Sequence, residues 1–120
     1  MAAPIRRPQD DTITLPCPNW TLSSHPGRGY TGHIEIDVMN RRLRAYDDDI
    51  YPQDLFPITP ALLDITLHGD GVHVRFNRVR STNNNFRMGK MTVTHERGDH
   101  FTFFLSTDDY NTVMEIMSPW

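Results

Sequence analysis

The chain has 120 residues, 38 % of them hydrophobic, and a formal net charge of −3. That length suits one domain able to bury roughly two-thirds of its unfolded surface without covalent staples, and the composition lies outside the disordered regime. Mild acidity argues against a protein whose main task is to neutralise nucleic-acid phosphates, so nucleic acid is an unfavoured partner. Cys17 stands alone, which excludes an intrachain disulfide and reads as a reduced thiol. No apolar run approaches the ~20 residues of a membrane helix, so no membrane is expected as a partner. Arg6 and Arg7 are followed by no apolar segment, so no secretory signal is expected and a cytoplasmic location is.

Residues 1–11 are polar, carry Pro4 and Pro8, and are expected to form a flexible arm before one globular domain over 12–120. Thr12 to Leu15 alternates as a short strand, which Pro16 and Pro18 are expected to stop, and Trp20-Thr21-Leu22 is expected as another. Ser24 to Gly29 is a loop by its Pro and Gly content. Ile34, Ile36 and Val38 alternate with His33, Glu35 and Asp37, the period-2 signature of a half-buried strand. With Asn40-Arg41 as a two-residue turn, Val38 would face Leu43, Ile36 would face Ala45 and Asp37 would face Arg44.

Asp47 to Pro60 holds three consecutive aspartates, three prolines and interspersed apolar residues, so it reads as an irregular segment packed on the body. A second hairpin is expected around Gly69-Asp70, pairing Leu67 with Val72, Ile65 with Val74, Leu63 with Phe76 and, on the other face, Asp64 with Arg75. A third turns at Glu96-Arg97-Gly98 and pairs Val93 with Phe101 and Met91 with Phe103; Gly98 sits where a three-residue loop needs a left-handed residue. Tyr110, Val113, Met114 and Met117 then make one helical stripe, capped by Thr107 or Asp108 and ended by Pro119. The expected fold is mainly β with some α: an antiparallel β-meander of about seven or eight strands, forming a partly closed barrel or sandwich, with one short C-terminal helix. Seven strands followed by a terminal helix is also the element order of pleckstrin-homology-like domains, a likeness of order alone with no motif behind it.

Motifs for chemistry are sparse. There is no nucleophile elbow, no phosphate-binding loop and no dinucleotide fingerprint, so neither a catalytic residue nor a cofactor is expected. His68 and His73 flank one turn, and His95 and His100 another; a small metal- or ligand-binding barrel could be built if those turns meet, although His spacing follows no metal pattern. His33, Glu35 and Asp37 share a strand face, but Arg42 and Arg44 across the hairpin explain them as charge pairs. Arg75, Arg78, Arg80, Arg87 and Lys90, interrupted by Asn83 to Phe86, form a basic stretch that could hold RNA. Tyr46, Asp47, Asp48, Asp49, Tyr51, Asp54 and Phe56 combine aromatic anchors with carboxylates, which suits docking onto a basic protein. The leading expectation is therefore a non-enzymatic protein-binding module, in concrete form a small intracellular inhibitor of the toxin-immunity or phage-antagonist type.

Overall fold

A computed structural model describes residues 11–50, 52, 55, 60–80 and 87–120. Seven strands and one helix follow in order: β1 Thr12–Leu22, β2 Gly29–Asp37, β3 Arg42–Asp47, β4 Leu63–Thr66, β5 Val72–Arg80, β6 Arg87–His95, β7 His100–Ser106 and α1 Thr107–Met117. All pairings are antiparallel, in the order β4-β3-β2-β1-β7-β6-β5. The sheet is thus a meander whose first strand also pairs with its last, curled into a half-barrel that stays open between β4 and β5. Sixteen apolar side chains and Cys17 fill its concave side as one core.

β1 is a single strand of 11 residues, so Pro16 and Pro18 do not stop it. The reason lies in the direction of its backbone groups. The Asp11 carbonyl accepts from the Val38 N–H at 3.3 Å, so odd-numbered residues of β1 point their hydrogen-bonding groups at β2 and even-numbered residues point away. On that far side β7 begins to pair only at Asn19. The missing N–H groups of both prolines therefore fall where β1 is an edge, the one place in a sheet that tolerates proline. A bulge between Cys17 and Trp20 then re-aims the chain. It turns Trp20 fully inward, where the indole stacks on Tyr30 at 4.4 Å and lies 6.1 Å from Phe103. The indole N–H donates to the Tyr46 carbonyl at 3.1 Å, so no polar group is stranded.

The β2–β3 register differs by two residues from the sequence expectation: Ile36 faces Leu43, Glu35 faces Arg44 and Asp37 faces Arg42. The turn is longer because Asp37 organises it. Its carboxylate accepts from the Asn40 backbone N–H and side-chain amide, which holds the Asp37 carboxyl below the usual carboxylate range. Only Arg41 takes positive φ, at 54°, whereas the two-residue turn would need it at both central positions. A shift of two leaves the buried face unchanged, so the core residues were placed correctly.

The expected β4–β5 hairpin does not form. Its apolar residues do face the core, but β4 pairs with β3 and β5 with β6, leaving each as an edge of the sheet. Gly69 and Gly71 both have positive φ, 129° and 77°, and splay the two strands apart. The β6–β7 hairpin has the expected register, with Gly98 at φ 93°. Ser106 rather than Thr107 or Asp108 caps α1, its hydroxyl accepting from the Asp109 N–H at 3.2 Å. Tyr110 and Val113 are buried, whereas Met114 is 40 % exposed. α1 packs on β6 and β7, and Tyr110 meets Phe76 of β5 edge to face at 5.6 Å. Beyond the helix, the Trp120 ring lies 5.7 Å from the Arg41 guanidinium. The terminal segment thus connects the β5–β7 wall to the β2–β3 turn. None of the described helices is long and apolar enough to cross a membrane.

Gly89 is what lets α1 approach: a Cβ there would lie 2.0 Å from the Tyr110 ring. Gly89→Ala should lower stability by about 1–3 kcal/mol, the usual cost of forcing extra atoms into a packed core. Urea unfolding checks this, and an unchanged midpoint would show that the helix is not held against β6 at this point.

Candidate functional site

The segment leaving β3 was the leading sequence candidate, and the structure gives its residues different roles. Asp47 is buried, 5 % exposed. Its carboxylate accepts from the backbone N–H groups of Asp49 at 2.9 Å and Ile50 at 3.2 Å, so it organises the turn. Asp48 lies 2.9 Å from His33 Nδ1. Tyr46 stacks on the same imidazole at 4.4 Å, nearly parallel, and its hydroxyl donates to Glu35. Asp49 is exposed. Tyr51, Asp54 and Phe56 lie outside the described residues.

Around these groups, both guanidiniums on the outer wall of β2, β3 and β4 are paired with carboxylates. Arg44 lies 3.8 Å from Glu35, and Arg42 donates to Asp64 at 3.0 Å. His33 hydrogen-bonds to Asp48 of the following turn, Glu35 pairs across the strands with Arg44 and Asp37 turns to Asn40, so every group of the His33–Asp37 face has a structural partner. What the carboxylates do not supply, neighbouring apolar side chains do. Leu55 is 72 % exposed, Ile50 43 % and Leu62 37 %. Sequence reading missed them as surface groups because apolar residues in a proline-rich segment are ordinarily assigned to packing.

The two turns carrying histidines do meet. Residues of both line a concavity of about 340 Å³, including Asp70, His95, Glu96 and Asp99. The histidines nevertheless do not converge. His68 contacts the Arg41 guanidinium at 3.2 Å, while His95 lies edge-on to Phe101 and 3.4 Å from the Thr66 carbonyl. Among the described residues no three His, Cys, Asp or Glu side chains are grouped to hold a metal ion. Cys17 is buried, and its thiol donates to the Phe104 and Asn19 carbonyls. Burial pushes its pKa up to about 12, the reverse of what a nucleophilic thiolate needs.

An apolar wedge of about 460 Å³ opens where β1 departs from β7, lined by Pro16, Pro18, Thr31, Gly32, Met88, Ser106 and Asp109. Within the basic stretch, Arg75 and Lys90 stand on adjacent strands of the other wall, and Asn83 to Phe86 lie outside the described residues. No family model, curated protein or solved structure matches this chain.

Tyr46 gives this site a measurable signature. Burial, and then its hydrogen bond to the Glu35 carboxylate, raise the phenol from 10 to about 12. The unfolded chain releases this proton first, so the stabilisation is complete below pH 10 and is lost as pH rises towards 12. A phenolate absorbance titration, wild type minus Tyr46→Phe, should show this group ionising near pH 12. A difference curve centred at pH 10 would mean the Tyr46–Glu35 contact is not formed.

Proposed function

We propose that this chain is a non-enzymatic protein-binding module. In its most concrete form it is a small inhibitor of the immunity or phage-antagonist type, acting in the cytoplasm, where the lone Cys17 stays reduced. The β3–β4 segment is the docking element, and a basic site on another protein is its target. One observation carries the reading: Ile50, Leu55 and Leu62 of this segment hold large apolar side chains in water, and Asp49, next to Ile50 in the chain, is exposed. Exposed apolar groups rimmed by charge are the usual make-up of a protein interface.

Asp47 takes a supporting part in this scheme. Its carboxylate is spent on the turn, so it shapes the segment instead of meeting the partner. Asp48 has the same character, since His33 holds it. Affinity would come from the apolar anchors, with Asp49 steering the encounter and setting preference for a basic surface.

Affinity purification of the tagged full chain from its native host should recover a stoichiometric protein partner. Leu55→Ala combined with Asp49→Lys should weaken that complex at least tenfold, about 1.4 kcal/mol, without altering the melting temperature. Recovery of no partner, or full retention by the double variant, would contradict the proposal.

A further inference from the structure

The correction to the β4–β5 pairing leaves a group of charges without counterparts. Asp64, which the sequence sets against Arg75, is instead held by Arg42 at 3.0 Å on the far edge of the sheet. Arg75 is exposed on β5, and Lys90 is half-exposed on β6. Neither is in an ion pair among the described residues. A concavity of about 740 Å³ lies over these two strands, lined by His73, Arg75, Asn77, Lys90, Thr92 and Thr94. No carboxylate is among its lining residues.

We propose that this face of β5, β6 and β7 binds single-stranded nucleic acid, with Arg75 and Lys90 holding successive phosphates. The sheet register supplies the geometry. Arg75 faces Thr92 and Asn77 faces Lys90, so the two cationic residues are diagonal neighbours, their Cα atoms roughly 7–8 Å apart. Lys90 in turn faces Phe104 of β7, which is half-exposed and alternates with the inward Phe103 and Leu105. One row therefore sets an amide, a cation and an aromatic ring side by side across three strands. Threonine hydroxyls fill the next row, where Arg75, Thr92 and Thr102 are aligned. Cations in a groove, hydroxyl and amide hydrogen-bonding groups and an accessible ring are what a single strand needs: phosphate neutralisation plus a stacking platform.

The chain's net charge of −3 does not oppose this. Among the described residues the acids lie off this face: Glu35, Asp37, Asp47, Asp48, Asp49 and Asp64 on the β2–β4 side, Asp70, Glu96 and Asp99 in the turns at the end of β5–β7, and Asp108, Asp109 and Glu115 on α1. An acidic protein could use the same cations and ring, so competition by an acidic polymer is the outcome that separates it from a nucleic acid. The surface is distinct from the β3–β4 segment, so the two readings stand or fall separately.

Fluorescence anisotropy of the full chain with a labelled single-stranded RNA of about 16 nucleotides tests this directly. At low salt the RNA should bind, and log affinity should fall linearly with log salt. Arg75→Gln with Lys90→Gln should weaken binding at least tenfold and reduce the salt slope by about one for each cation removed. Arg42→Gln with Arg44→Gln removes the same charge from the other wall and should change affinity less than twofold. Phe104→Leu should lower affinity at least fivefold at an unchanged slope. Absence of saturable binding, or equal losses from the two double variants, would overturn the proposal. Full affinity in Phe104→Leu, or displacement of the RNA by polyglutamate as readily as by unlabelled RNA, would overturn nucleic acid as the occupant.

Discussion

The bulge that turns Trp20 inward is the constraint from which the rest of the sheet follows. Before it, β1 belongs to β2 alone; after it, β1 pairs with both β2 and β7. At the changeover the indole touches Tyr30, Phe103 and the Tyr46 carbonyl, so one side chain ties β1 to β2, β3 and β7. Gly32 permits the close approach at the same place, since a Cβ there would lie 2.1 Å from that carbonyl. Removing a buried tryptophan costs about 3–5 kcal/mol in general, and here the loss would fall on the only strand shared by both walls of the half-barrel.

The surfaces inherit this division. On the β2–β4 wall, strand register sets Arg44 against Glu35 and brings Arg42 to Asp64, and the turn after β3 folds Asp48 onto His33. Exposed pairs of this sort add little stability, typically below about 1 kcal/mol each. Their consequence is to occupy both guanidiniums of that wall, which is left net acidic because Asp37 turns to Asn40. The β5–β7 wall has threonines, an asparagine and Phe104 where carboxylates would have stood, so its cations keep their full field. Because β4 and β5 separate at Gly69 and Gly71, the acids of one edge cannot reach the bases of the other.

Much of this was legible in the sequence. Strict alternation placed the core faces of β2 to β7, and Gly98 fixed the β6–β7 register through its need for a left-handed conformation. The prolines of β1 misled because proline is excluded only where a donor is required, and no local pattern reveals that β1 is an edge over that stretch. The β2–β3 register slipped by two because Asp37 reaches forward to Asn40, and a slip of two preserves every buried position. At the candidate site, residue types were read correctly and their availability was not. Asp47 looks like surface charge in the run Asp47-Asp48-Asp49, yet its carboxylate is consumed by the two backbone N–H groups that follow. The unpaired state of Arg75 could not be foreseen while Asp64 stood as its partner across a hairpin that does not form.

One sheet thus carries two electrostatically unlike walls, and an apolar segment with an exposed aspartate leaves the end of β3. Among the described residues, charge is paired but net acidic on β2–β4, where Glu35, Asp37, Asp48 and Asp64 stand against Arg42 and Arg44, and it is unpaired and basic on β5–β7. Paramagnetic relaxation of backbone amides by anionic and cationic small-molecule probes measures the local surface potential residue by residue. Amides from His73 to Asn77 and from Lys90 to Thr94 should relax faster with the anionic probe, while those of His33 to Asp37 and Arg42 to Tyr46 should relax faster with the cationic one. Equal responses on both walls, or preference for the cationic probe over β5 and β6, would contradict this charge division.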